Sequence, residues 1–296
     1  LVGSEMCIRD SAGWTCIGLA LGTYFNWLLV AKRLRRYSEK ANDSITLPGF
    51  YSNRFHDTKN VVSTVAAVII LIFFCVYTGS CFVTCGKLFN TLFGMDYTVM
   101  MIFGAIIVFL YTMVGGYLSV VATDFVQGCL MFFALAVVVI GSIAMAGGVE
   151  NTAAFLSDIP GYLSMVQTAT PEIDADGVQY MIGGAPIFGI PAEYGLLTII
   201  STLSWGLGYF GMPQVLVRFM GIRNDSEIKT SRRIAIVWVV VSMFCAIMIG
   251  IIGRYLFPAQ YLTQSGAESI FIFLSQVMLP GFLCGLVVSG ILAASM

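Results

Sequence analysis

Few side chains that could hold a metal, carry a proton or attack a substrate lie together in this sequence. The single histidine, His56, sits in a polar stretch, which leaves no histidine-based metal centre or proton relay. Eight cysteines occur without metal-ligand spacing. Cys75, Cys81, Cys85, Cys129, Cys245 and Cys284 fall inside apolar runs and read as small hydrophobes. No paired carboxylates and no Ser/His arrangement lie within those runs, so an enzyme is not expected. The informative stretch is Ser201-Thr-Leu-Ser-Trp205-Gly-Leu-Gly-Tyr209-Phe-Gly-Met-Pro213. Pro213 has no amide proton, so the carbonyl of Tyr209 loses its helical donor. Gly206, Gly208 and Gly211 let the backbone unwind and let a neighbour or a ligand come close. Trp205 and Tyr209, four apart, share one face of an α-helix. Such rings can cover an apolar body or a cation, and a phenol can bond a carboxylate. The same pattern also fits a glycine-packed helix contact with its aromatics facing lipid or a neighbour.

A second interruption is Leu110-Tyr111-Thr-Met-Val-Gly115-Gly116-Tyr-Leu-Ser119, followed by Thr123-Asp124. The paired glycines end a helix, and Asp124 is expected to cap the next one at its positive end. Near the C-terminus Gly285, Ser289 and Ala293 recur every four residues, a stripe that would let one helix face approach another. Arg254 is expected to snorkel to an interface.

These residues need elements to hold them, and composition says which. The chain has 296 residues, 58% hydrophobic and 10% charged, with a mean hydropathy of +0.89. Soluble domains carry about 25% charged residues. A soluble enzyme, a nucleic-acid binder and a disordered chain are therefore excluded, and a formal net charge of −1 implies no polyanionic partner. Seven stretches approach the roughly 20 apolar residues that cross a bilayer: Ala12 to Ala31, Val61 to Phe82, Tyr97 to Val121, Phe125 to Gly147, Tyr194 to Val217, Ile234 to Phe257, and Ile270 to Met296. In the last, a short piece from Ile270 to Leu279 precedes a turn at Pro280. Backbone groups in lipid must satisfy one another, and segments this long do so as helices. Carbonyls freed in mid-membrane are tolerated only against protein or a wet cavity, and interrupted helices of this kind form solute and ion sites in carriers.

Charge sets the orientation. Lys32, Arg33, Arg35, Arg36, Lys40, Arg54 and Lys59 occupy the first connection, and Arg218, Arg223, Lys229, Arg232 and Arg233 the one between the fifth and sixth spans. Alternating spans put both on one side, the inside. The connection between the fourth and fifth spans carries Glu150, Asp158, Glu172, Asp174, Asp176 and Glu193 and is expected outside. Residues 1–11 form a polar leader with no signal-peptide pattern and are expected to be non-native. Residues 12–296 form an incomplete membrane domain, cut at both ends.

Trp205 to Pro213, followed by Arg218-Phe-Met, resembles the sixth core helix of the proline branch of the sodium:solute symporter family. Ser44-Ile-Thr-Leu-Pro48 with Arg54-Phe55 is similar to the same group, as are Tyr111 to Ser119 with Thr123, Asp124 and Gln127, and the terminal Ile291 to Met296. Tyr117 departs from the Phe or Leu frequent after the glycine pair, and Leu1 to Ser11 matches nothing there. The resemblance implies an all-α polytopic membrane protein. It would hold core helices two to eight of a five-plus-five inverted repeat of the leucine-transporter kind. It further implies that Trp205, Tyr209 and Tyr111 contact proline, that Pro213 makes the helix break, and that Gly285 affects selectivity. Ala294 would supply one backbone carbonyl to sodium, with the remaining ligands outside the chain. The implied activity is sodium-coupled uptake of L-proline, by alternating access, in a bacterial cytoplasmic membrane. Sodium is the coupling ion, no further cofactor is needed, and the segment alone is expected to be inactive. A sodium symporter for another small solute such as pantothenate, or the membrane domain of a sensor kinase, would share these features.

Overall fold

The computed structural model describes residues 12–162, 164–173, 179–182, 185–257 and 270–295. The leader 1–11, Asp174, Asp176 and Met296 lie outside the described residues. In chain order the helices are α1 (Ala12–Lys40), α2 (Leu47–Phe55), α3 (Val61–Phe93), α4 (Tyr97–Met145), α5 (Val149–Ser157), α6 (Leu196–Leu203), α7 (Pro213–Met220), α8 (Glu227–Leu256), α9 (Ile270–Met278) and α10 (Gly281–Ser295). A 3₁₀ segment, Ser204–Phe210, lies between α6 and α7. Among the described residues, four helical stretches are long and apolar enough to cross a membrane: Ala12–Lys40, Val61–Phe93, Thr112–Met145 and Glu227–Leu256. Shorter apolar helices occur at Tyr97–Leu110, Leu196–Phe210 and Gly281–Gly290. Each of the seven sequence spans thus contains a helix. In α3 the apolar window is wholly unburied within the chain, with Phe73, Val76 and Leu71 largely bare. Water would penalise so large an apolar surface, whereas lipid does not.

The described residues divide into two compact units, one drawn from 12–13, 79–195 and 242–295, the other of Trp14–Thr78 and Leu196–Val241. In the second unit, α1 changes pitch at a π-helical turn, Asn26–Ala31, and ends in a strongly basic turn. Thr46 caps α2 by accepting the Gly49 amide (3.3 Å), with Pro48 in the first turn where its missing N–H costs nothing. Asp57 caps the start of α3 by accepting the Val62 amide at 2.7 Å and that of Ser63 at 3.3 Å. Slight burial pushes its carboxyl up, but these amides, with those of Val61 and Lys59, outweigh it and hold the carboxyl below the usual range. The core is Ala31, Leu47, Phe50, Leu216, Phe219, Met220 and Ile228, with Trp27 edge-on to Phe219 at 4.6 Å.

The two basic connections meet in this unit. Arg35 Nη1 donates to Asp43 Oδ1 at 3.0 Å and to the Met220 carbonyl at 3.1 Å. Arg36 pairs with Asp225. Charge counting puts the 32–59 and 218–233 stretches on one side, and these contacts join them directly.

In the first unit, α10 packs along α4 and α9 around Ala134, Val138, Ile249, Ile270, Leu274 and Val287. The connection from residue 147 to 195 holds α5 and, among the described residues, two small antiparallel strand pairs, β1 (Gln167–Thr168) with β4 (Ala192–Glu193) and β2 (Met181–Ile182) with β3 (Ala185–Pro186).

Four expectations need correction in this unit. The third and fourth spans are not divided near Val121. They meet at Gly116, whose φ of 58° and ψ of −160° break the helix at a single residue, so Tyr117 to Val121 belongs to the following helix. Asp124 therefore lies well inside helical structure and not at a helix start. Arg254 does not snorkel: it is buried, its Nη2 donating to Gln179 Oε1 at 2.6 Å and its guanidinium lying 5.4 Å from the Phe188 ring centroid. Gln179, itself buried, donates to the Ile187 carbonyl at 2.8 Å. Arg254 thus ties the 147–195 connection to α8, because a buried guanidinium must have acceptors and the connection supplies them. Finally, the small-residue stripe on α10 is not its contact face. A methyl on Gly285 would meet nothing within 4 Å, whereas one on Gly290 would lie 3.3 Å from Ala134 Cβ and 3.4 Å from the Leu130 carbonyl. Val287, Val288 and Gly290 make the buried side, one step round the helix.

Candidate solute site at the broken span

The candidate site is built on the α6–3₁₀–α7 stretch. Toward its end α6 is loosened by its own hydroxyls, with Thr202 Oγ1 donating to the Thr198 carbonyl and Ser204 Oγ to that of Ile200, both at 2.7 Å. Side chains that bond back to i−4 carbonyls weaken the helical ladder there. The chain then tightens into 3₁₀ pitch over Ser204–Phe210, passes Gly211, turns extended at Met212 (φ −73°, ψ 110°) and restarts as α7 at Pro213. The span is broken where the glycines and the proline require it.

The 3₁₀ pitch changes one sequence inference. With three residues per turn, positions four apart are offset by about 120°, so Trp205 and Tyr209 do not share a face. Trp205 is half exposed and Tyr209 is largely covered. Their rings flank the break from two directions and present no common wall.

The three glycines separate by role. Gly206 is a helix contact: a methyl there would overlap the Gly18 carbonyl oxygen and lie 3.1 Å from Gly22 Cα. A methyl on Gly18 would in turn lie 2.6 Å from the Leu203 carbonyl oxygen, and one on Gly22 would overlap the Gly206 backbone. The backbone of α1 thus lies directly on the backbone of the break, in the manner of small-residue helix contacts. Gly208 faces open space and Gly211 nearly so. The contact reading is right for Gly206, and the unwinding reading suits the other two.

That approach brings a polar side chain to the break. Asn26, 1% exposed and first residue of the π turn, donates from Nδ2 to the Tyr209 carbonyl at 2.8 Å. Its Oδ1 and the Thr23 hydroxyl three residues earlier are buried and make no hydrogen bond among the described residues. Beyond the proline, Gln214 Nε2 donates to the Tyr77 hydroxyl at 3.4 Å. From Leu196 to Val217 there is no charged residue, so a charged solute here would meet aromatic rings, backbone carbonyls, amides and hydroxyls.

Of the residues expected at the site, Trp205, Tyr209 and Pro213 lie together in the second unit. Tyr111, Gly285 and Ala294 lie in the first. Tyr111 is in α4, in the turn before the Gly115-Gly116 break, and Ala294 is in the last turn of α10; their side chains lie outside the described residues. The sequence reasoning passed over Asn26, Gly18, Gly22 and Gln214. The signal was an amide alone in an apolar helix, one turn past a Gly-x-x-x-Gly pair.

Residues 10–296 match the sodium:solute symporter family. The whole chain aligns at 39% identity with 58% of the high-affinity proline transporter PutP of Bacillus subtilis (strain 168). It aligns at 38% identity with 53% of a sodium/proline symporter of Staphylococcus aureus. The chain therefore spans little more than half the length of these relatives.

Proposed function

Because this chain belongs to the sodium:solute symporter family, we propose that it forms part of a sodium-coupled carrier taking up L-proline by alternating access across a bacterial cytoplasmic membrane. The observation that carries the reading is the interrupted span, in which Ser204–Phe210 leaves α-helical pitch and the chain turns extended at Met212 before α7 restarts at Pro213. Irregular backbone at membrane depth is retained where it lines a cavity, and in carriers that cavity holds the solute. The names of the relatives, both proline carriers, point to the solute.

In this reading α1 to α10 contain core helices two to eight of a five-plus-five inverted repeat. Trp205 and Tyr209 approach the solute from two sides, covering its pyrrolidine body and meeting its carboxylate. Pro213 keeps the span open, and the family resemblance assigns solute roles to Tyr111 and Gly285 as well. Ala294 offers a backbone carbonyl to sodium, which is the coupling ion. Sodium and proline then raise each other's affinity, because binding linkage is reciprocal.

The test is uptake into proteoliposomes by this chain completed at both ends with a relative's flanking sequence. Replacing external sodium by choline is expected to abolish proline uptake; uptake that persists undiminished rejects the proposal. Competition by a panel of amino acids, sugars and carboxylates identifies the solute, and a panel member displacing proline completely at lower concentration overturns its assignment. Trp205→Ala and Tyr209→Ala are each expected to raise the proline KM about tenfold, the effect of losing about 1.4 kcal/mol of ring contact. Unaltered KM values in both variants would remove these residues from the site.

A further inference from the structure

We propose that Asn26 is a positioning residue for the broken span, its side-chain amide supplying the Tyr209 carbonyl with the donor that the chain's turn at Met212 withholds. This rests on the carrier reading for its consequence, though not for its geometry. Three features converge on one atom. Pro213 cannot donate to the Tyr209 carbonyl, and the extended Met212 turns the chain away from it. Gly18, Gly22 and Gly206 bring the α1 backbone against the break, close enough for a short side chain to span the gap. The π turn beginning at Asn26 re-aims the helix face at that level, and π turns inside α-helices recur at functional positions. The outcome is the 2.8 Å bond from Nδ2 to the Tyr209 carbonyl.

The orientation of the amide is not arbitrary. A carbonyl only accepts, so the NH2 end of Asn26 must face Tyr209 and the Oδ1 end must face away. That Oδ1 is buried without a partner among the described residues, and a buried acceptor left unmatched costs stability. A leucine of similar size would avoid that cost. The amide earns its place only through its donor end, which fixes the carbonyl, and with it the ring, of Tyr209. A backbone bond made by a side chain can also be released and remade without unwinding a helix, which suits a span that must rearrange during transport.

The experiment separates this inference from the carrier reading. Hydrogen–deuterium exchange of the amides in 204–212 is followed by mass spectrometry in wild type, Asn26→Leu and Thr23→Val, with α2 as internal reference. Asn26→Leu is expected to speed exchange in 204–212 about tenfold and to leave α2 unchanged. Thr23→Val, which removes a neighbouring buried hydroxyl that makes no hydrogen bond among the described residues, is expected to leave exchange in 204–212 unchanged. Asn26→Ala gives the same reading without added bulk should the leucine prevent folding. In the completed carrier the proline KM is expected to rise with exchange in Asn26→Leu, while the maximal rate changes little. Unchanged exchange in the Asn26 variants, a rise shared equally by α2, or an equal rise in Thr23→Val overturns the inference. A wild-type carrier that takes up no proline would sink the carrier reading, and the exchange data would still decide the role of Asn26.

Discussion

Gly206→Ala is expected to destabilise the second unit by about 3 kcal/mol, the upper part of the range for forcing a methyl into filled space. The added Cβ would overlap the Gly18 carbonyl oxygen and crowd Gly22 Cα. Both obstacles are backbone, so no side chain can rotate away, and α1 would have to move as a body. That motion would also stretch the bond from Asn26 to Tyr209, since the same approach makes it possible. Gly208→Ala is the control. It sits two residues on in the same 3₁₀ segment with nothing within 4 Å, and an open position should change stability by no more than about 0.5 kcal/mol. Thermal or denaturant melts of the detergent-purified protein measure both. Equal midpoints for the two variants would mean that the glycine contact contributes nothing.

The double glycine of α4 predicts a second large effect, with two different causes side by side. Gly116 has φ 58° and ψ −160°, a region almost closed to residues with a Cβ, so Gly116→Ala should cost about 1–3 kcal/mol although open space surrounds it. Gly115 has ordinary helical backbone, but an added methyl would overlap the Ser119 side chain, Cβ included. Gly115→Ala should therefore be comparably destabilising and, unlike Gly116→Ala, be rescued by Ser119→Gly. A double-mutant cycle read by thermal melting separates the two. Coupling of Ser119→Gly to Gly116→Ala, and none to Gly115→Ala, would reverse the assignment.

Much of the architecture was legible because membrane insertion leaves few choices. Long apolar runs can only be helices in lipid, and the basic clusters at 32–59 and 218–233 sort to one side, where Arg35 and Arg36 join them. The broken span was equally readable: the missing proton of Pro213 is a covalent fact, and the glycines around it tolerate the turn. What did not transfer was anything that depended on helical pitch. Trp205 and Tyr209 share a face at 3.6 residues per turn but not at three, and nothing local distinguishes the two pitches over seven residues. Arg254 looked like an interfacial cation because its partner, Gln179, lies 75 positions away in sequence.

The sequence alone therefore determined the class of element, the side on which charge collects and the place where a helix must fail, since each follows from local covalent chemistry and the solvent. Tertiary structure alone decided which glycines are contacts, which polar groups are buried and what satisfies the orphaned carbonyl. Those outcomes depend on how close two backbones come, a distance set jointly by α1 and the 3₁₀ segment and encoded in neither by itself.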